Sequence, residues 1–517
     1  MKNSLRQSMA WLHTWAGLLA GWLLFVIFVG GTLSCFDREL DDWMRPSLHD
    51  INATPAPRFD APMFDNAFAQ IAARAPGAHS WWAHAPHERE RAMETFWMLD
   101  DGTTRKLTLD PRTATPVPET AGGDFFFELH WNLHAGTTGM FIVAFAGMLM
   151  LVALVAGVIT HKRIFKDFFT FRPSAGGQRA WLDGHNLTGV LGLPFHLLIA
   201  YTGVIIFATS YITGGLDTAY KGDLNRFFQE AGGFHEREDA GRPLARLHSI
   251  DALVADAQRR MGQPVDWASV EHPDDVSALI IFGTDHARHV AWDMQQVQYD
   301  AATGAFVHHS APPTVGYLTY SFLGGLHMVQ FGGGGLRALY FLLGLTGCVM
   351  LASGMQVWVR KRAQRIAAAG PVSGYGIVQG LNIGVVAGMP FACATLLLAN
   401  RLLPAQTPER ARAEIAVFCT AWAVAACWGM GRTRSGRGWR DLFAGTALAC
   451  VAIPLVNFAT TDASHLLATL PQGQWSLASV DLVALAFAAG FGWLAHRAAL
   501  RSPLRPPMAL RTAAQGA

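Results

Sequence analysis

The stretch "FFFELHWNLHAGTTGMFIVAFAGMLMLVALVAGVITHKR", residues 125–163, sets His130 and His134 at one end of a long apolar run and His161 at the other. The uncharged run is longer than the roughly 18 residues that read as a membrane-spanning helix. An imidazole at the edge of hydrocarbon is costly to desolvate unless something pairs with it. The stretch therefore predicts a membrane bundle whose histidines hold something.

The rest of the chain supports the membrane reading. Of its 517 residues, 51% are hydrophobic and only 15% are charged, against roughly 25% charged in soluble domains. The net charge of +2 gives no basic surface for nucleic acid. The six cysteines form no CxxC pair, which leaves zinc, iron–sulfur and disulfide frameworks without support. Apolar segments fall near 11–36, 134–160, 187–212, 334–359, 376–400, 414–430, 441–458 and 476–497. The first is longer than the apolar core of a signal peptide and lacks a clear cleavage site, so it reads as a retained signal anchor.

Lys and Arg set the orientation. "MKNSLR", "HKRIFKDFFTFRPSAGGQR", "RKRAQR", "GRTRSGRGWR" and "HRAALRSPLR" fall on one side of eight spans, which the positive-inside rule makes the cytoplasm. Both termini are then cytoplasmic, and the long segments 37–128 and 213–325 lie outside, in the periplasm of a Gram-negative cell. "RLLPAQTPERARAE" is basic yet falls outside, the one exception.

The chain also repeats. "LHWNLHAGTTGMFIVAFAGMLMLVALVAG" aligns without gaps over "LHMVQFGGGGLRALYFLLGLTGCVMLASG", matching His130 with His327 and Gly157 with Gly354. "HTWAG" and "HNLTG" open the first and third spans, and His13 to Gly31 has the same separation as His185 to Gly203. The unit is span, external segment, span, present twice in one orientation. Matched glycines let helices approach closely, and the interface between copies is where a functional site is expected. Each external segment carries a helical stretch, "MFDNAFAQIAARA" or "SIDALVADAQRRM". Strand-like alternation follows, with an Asp-x-x-Thr turn in "RKLTLDPRTATPV" and "QVQYDAATGAFV". Two small α+β domains are expected.

"LHTWAGLLAGWLLF", "VITHKRIFKDFFTFRP", "LPFHLLIAYTG" and the "DAATG" strand end resemble the PepSY-associated transmembrane family. Within it they are most similar to the siderophore-linked, inner-membrane reductases. The resemblance covers about residues 1–365. It implies four-helix haem b carriers with two periplasmic PepSY domains that reduce ferric siderophores. The expected fold is an all-α polytopic bundle of about eight transmembrane helices, with a four-helix haem core from the twofold repeat and two PepSY-like α+β periplasmic domains. The expected boundaries are 1–36 for the first span, 37–128 and 213–325 for the two external domains, 129–212 for spans two and three, and 326–365 for span four. Residues 366–517 form spans five to eight, which the resemblance leaves without a role.

Seven histidines are then candidates to bind cofactor: His13, His130, His134, His161, His185, His196 and His327. Ionisable residues in spans are functional hypotheses by default, and haem iron takes axial imidazoles from facing helices of a bundle. The repeat pairs His130 or His134 with His327 at an outer haem, and His13 with His185 at an inner one. On one straight helix, eleven residues place His196 about 20° from His185 and about 16 Å along the axis. His196 can then replace His185, with Pro194 kinking the helix, and the expected iron ligands are His13, His134, His196 and His327. His134 is preferred to His130 because it lies a turn deeper, whereas His161 reads as a headgroup anchor beside "KR".

Weaker signals are read plainly. "FGGGGLR" lacks the GK[ST] ending of a phosphate loop. Arg337 beside it either pairs with a haem propionate or anchors the helix. The basic "HKRIFKDFF" reads as a segment lying among headgroups. Trp11, Trp15, Trp22 and Trp43 read as interfacial and packing residues. His79, His84, His87, His286, His289, His308 and His309 read as loop residues, the adjacent last two being able to bind a metal weakly. No dinucleotide fingerprint is present, so a cytoplasmic reductase or quinol is the expected electron donor. The reading is a ferric-chelate reductase with two haem b groups. The alternatives are a non-redox PepSY peptide- or protease-binding regulator, and an iron or siderophore transporter through spans five to eight.

Overall fold

The computed structural model describes residues 4–50, 63–87, 89–161, 172, 177–284, 289–292, 295–369, 374–433 and 435–500. In chain order its main helices begin with α1 (Leu5–Ser34), α2 (Met63–Ala72), α3 (Asp124–Trp131), α4 (Gly136–Thr160) and α5 (Gly177–Leu191). Next come α6 (Leu193–Ile206), α7 (Asp251–Met261), α8 (Val315–Met328) and α9 (Gly334–Ala369). The C-terminal set is α10 (Tyr375–Asn382), α11 (Gly388–Leu402), α12 (Arg410–Gly431), α13 (Gly438–Thr460) and α14 (Trp475–Ala499). Among the described residues, seven helical spans are long and apolar enough to cross a membrane, and α5 with α6 makes an eighth if that pair is one span. The α5–α6 pair bends by 66°, at Gly192 and just before Pro194, whose ring removes a backbone hydrogen bond and crowds the preceding turn. The fifth span, Tyr375–Leu402, is continuous, and a π-helical stretch, Ile383–Ala387, joins α10 to α11 within it.

The contacts divide the chain into two compact units. The first comprises Met1–Ser34, Asp124–Tyr201 and Phe341–Ala517 and holds most of the membrane helices. Within it α1 packs along α4, and α13 packs along α14. Matched glycines serve close packing here, since a Cβ at Gly344 would lie 2.4 Å from Thr32 Oγ1.

The second unit comprises Cys35–Gly123 and Thr202–Tyr340. Each external segment forms a helix and four antiparallel strands: β1 (Ser80–His84), β2 (Met93–Met98), β3 (Thr104–Asp110) and β4 (Thr115–Pro116), then β5 (Trp267–Glu271), β6 (Leu279–Gly283), β7 (Gln296–Asp300) and β8 (Phe306–His309). The expected Asp-x-x-Thr turn closes β7 on β8, with Thr303 N and Oγ1 both donating to Asp300 Oδ1. The two segments do not stand as separate sheets. Strands β1 and β5 pair antiparallel, Trp82 opposite Ser269, and make one eight-stranded sheet in the order β4-β3-β2-β1-β5-β6-β7-β8. One continuous core lies under it, with Phe64, Phe68 and Ile71 of α2 beside Leu253 and Ala257 of α7 against Val270, Ile280 and Phe282. Pairing the two central edges hides hydrogen-bonding groups that an open edge would leave exposed.

Candidate functional site

The rings of His13 and His185 lie beside one another in the first unit, with centroids 6.1 Å apart and planes tilted by 60°. His13 Nδ1 lies 2.8 Å from the Ala153 carbonyl on α4, and His185 Nδ1 lies 2.8 Å from the Met350 carbonyl on α9. A carbonyl only accepts, so Nδ1 carries the proton and Nε2 keeps its lone pair. Ala153 and Met350 are repeat equivalents in the alignment of the second and fourth spans. Each carbonyl lies four residues before a matched glycine, Gly157 or Gly354. A Cβ at Gly157 would stand 3.1 Å from His13 Cε1, and one at Gly354 2.9 Å from His185 Cε1. The missing side chain bares the second lone pair of a carbonyl already used by its helix, and the imidazole takes it.

His130 is seated the same way. Its Nδ1 lies 2.9 Å from the Ile27 carbonyl on α1, and a Cβ at Gly31, four residues on, would stand 2.7 Å from its Cε1. In the second unit, a Cβ at Gly203, the repeat equivalent of Gly31, would stand 2.8 Å from His327 Cε1. His327 Nδ1 lies 3.0 Å from Thr202 Oγ1. Gly157 with Gly354 and Gly31 with Gly203, two pairs that the repeat matches, are thus four seats for four histidines.

The other expected ligands lie differently. His134 is not a turn deeper on the helix of His130, because α3 ends at Trp131 and α4 begins at Gly136. His134 sits in the connecting turn at φ +54°. Its Nε2 lies 2.9 Å from the Phe125 carbonyl and its Nδ1 3.3 Å from Glu128. Both ring nitrogens are therefore engaged. The 66° bend removes the straight-helix argument that set His196 on the face of His185. His196 is fully buried, with Nε2 3.4 Å from the Leu343 carbonyl, no hydrogen-bond partner for Nδ1 among the described residues, and Phe28 edge-on at 5.9 Å. His161 forms the C-cap of α4, its amide donating to the Gly157 carbonyl. Most of "HKRIFKDFF", and His286, fall outside the described residues.

In the second unit Arg337 is an ion-pair residue. It donates to Glu39 Oε1 at 2.9 Å, and Arg89 grips the same carboxylate through Nε and Nη2 at 3.0 and 2.9 Å. The two guanidinium groups hold the Glu39 carboxyl below its ordinary range, although its burial works the other way. His308 approaches the Gly233 carbonyl at 3.3 Å and His235 at 5.4 Å between rings, while His309 is exposed.

Sequence reasoning missed a buried polar network among the last four spans. Arg401 donates to Asn457 Oδ1 at 2.8 Å and to Asn400 Oδ1 at 2.6 Å. Asn400 donates to Glu414 at 3.1 Å, Arg410 pairs with Glu414 at 3.0 Å, and Asn457 donates to Asp481 at 2.9 Å. Glu414 and Asp481 are fully buried, so acidic groups in this module are not confined to exposed helix ends. The basic loop that broke the charge rule supplies Arg401 and Arg410, whose charges are matched by these two carboxylates. The sequence signal was there, as "NR…ER…E" around a turn, but solvated loops carry the same residues.

The family model for the PepSY-associated TM region matches residues 10–361. An uncharacterized protein of Pseudomonas aeruginosa is 30% identical over 353 residues, which cover 65% of this chain and 86% of that protein. Helices α10–α14 lie beyond the residues that the family model matches.

Proposed function

The chain belongs to the PepSY-associated transmembrane family, and from that premise we propose that it is a haem b electron carrier of the bacterial inner membrane that reduces a ferric siderophore outside. The observation that carries this reading is the pair His13 and His185, 6.1 Å apart, each tied by Nδ1 to a helix carbonyl. Two imidazole–metal bonds of about 2 Å each, with the half-widths of two rings, span roughly 6 Å. A ligating histidine generally donates its other ring N–H to a carbonyl or carboxylate, which fixes the tautomer and raises its basicity. The residues fit an axial pair.

When bound, haem supplies a one-electron ferric/ferrous couple. The chain's part is to hold the rings. His13 and His185 would hold the iron through Nε2, the ring nitrogen that the Nδ1 contacts leave with its lone pair. His130, seated on Gly31, is the histidine of the first unit left for a second haem. A cytoplasmic reductase or quinol supplies each electron, and one electron converts the bound Fe(III) of the chelate to Fe(II). The ferrous ion is held less tightly by hydroxamate or catecholate oxygens and leaves.

The test is a reduced-minus-oxidised spectrum with haem quantitation on the purified full chain. A Soret band, a reduced α-band and about two haems per chain are expected. Replacement His185→Ala removes about one haem. Absence of haem from protein made with haem available sinks the reading.

A further inference from the structure

Resting on that haem reading, we infer that Asn382 is a positioning residue through which the C-terminal helices set the geometry of the His13–His185 pair. Asn382 ends α10 and has no exposed surface. Its Oδ1 accepts from Trp22 Nε1 of α1 at 2.8 Å, and its Nδ2 donates to the Met355 carbonyl of α9 at 3.4 Å. One amide therefore bridges the helix that carries His13 and the helix that seats His185. Met355 follows Gly354, the seat itself, and its sulfur would lie 3.3 Å from a Cβ at Gly21, next to Trp22. Helices α1 and α9 are thus held in close register at this level.

The backbone around Asn382 is built for the contact. The residues after it form the π-helical stretch Ile383–Ala387, and such widened turns are frequent at functional sites. A second indole, Trp422 of α12, donates to the Gly384 carbonyl at 3.1 Å. Two tryptophans from different helices therefore engage the π turn and the residue just before it. A polar bridge in an apolar bundle is directional, whereas apolar packing alone would let α1 and α9 slide. Sub-ångström sliding matters here, because α1 carries His13 and α9 supplies the carbonyl that holds the His185 ring, itself carried on α5.

The experiment uses the full chain with haem bound and reads the low-spin electron paramagnetic resonance signals and midpoint potential of each haem. The inner signal is identified as the one that His185→Ala removes. In Asn382→Leu, which keeps the volume and loses both hydrogen bonds, the inner signal and potential are expected to shift while the outer ones stay. Trp22→Phe, which removes one N–H and little bulk, is expected to shift the inner signal in the same direction by a smaller amount. This milder variant decides the question should Asn382→Leu not accumulate. Inner and outer signals that stay put, or that move together, overturn the assignment of Asn382 while leaving the haem reading intact. Unaltered protein without haem overturns both.

Discussion

Asp65 and Asp251 each cap the other's helix. Asp251 accepts from the amides of Phe64 and Asp65 at 3.3 and 2.7 Å, and Asp65 accepts from the Ile250 amide at 2.7 Å and the Ser249 hydroxyl at 2.6 Å. The two helices come from different copies of the repeat, so the exchange of caps ties the halves of the sheet unit together. Amides at a helix start have no partner within the helix, and removing a capping acceptor costs about 1 kcal/mol. Asp65→Ala and Asp251→Ala are each expected to lower stability by about that much. Faster hydrogen exchange should appear in the helix across from the substitution, and a change confined to the substituted helix would contradict the exchange of caps.

The same sheet makes stability depend on pH. Burial, with Glu236 adding repulsion, pushes the Glu271 carboxyl up from 4.5 to about 7. The folded state then binds more protons than the unfolded one, so this group's contribution falls as pH rises from about 4.5 through about 7. Glu271→Gln should flatten that slope and stabilise the protein by about 3 kcal/mol at pH 8, with little effect at pH 4. Denaturant melts of both proteins at three pH values measure it, and parallel curves would refute the assignment.

At the seats, Gly354→Ala sets a methyl 2.9 Å from His185 Cε1, closer than real contacts allow. The imidazole must leave the Met350 carbonyl, and about one haem per chain is expected to be lost. Gly17→Ala is the control, because nothing lies within 4 Å of the added carbon. Equal haem content in both variants would mean that the glycine seat does not hold the ligand.

The two adjacent candidates before α4 separate by the same assay. His130 is seated on Gly31 and bonded through Nδ1, whereas both ring nitrogens of His134 are engaged in its turn. His130→Ala is expected to lower haem content and His134→Ala to leave it unchanged. The reverse result would return the ligand role to His134.

In the C-terminal module, Arg401→Ala leaves Asp481 and Glu414 buried with less positive charge. Breaking a buried pair in this way costs about 3–5 kcal/mol, so the variant should accumulate poorly or melt early in detergent. Asp481→Asn keeps an acceptor for Asn457 and should be milder. Similar melting of Arg401→Ala and the parent would show that the network is solvated.

Much of this protein was legible in its sequence. Uncharged runs fixed the spans, because hydrocarbon excludes charge whatever the fold. Equal spacing from His13 to Gly31 and from His185 to Gly203 disclosed the repeat, and alternation around the Asp-x-x-Thr turns disclosed the strands. The repeat also matched Gly157 with Gly354 and Gly31 with Gly203, though as helix-packing residues rather than as seats, and it did not show which histidine each would meet. Tertiary structure alone decided the rest. The bend at Gly192 carried His196 away from His185, and the break between α3 and α4 set His134 in a turn, because face arithmetic holds only on an unbroken helix. Arg401 and Arg410 looked like loop charges until Glu414 and Asp481 lay beside them. A sequence shows which groups are charged or can donate, while the choice of partner depends on contacts far apart along the chain.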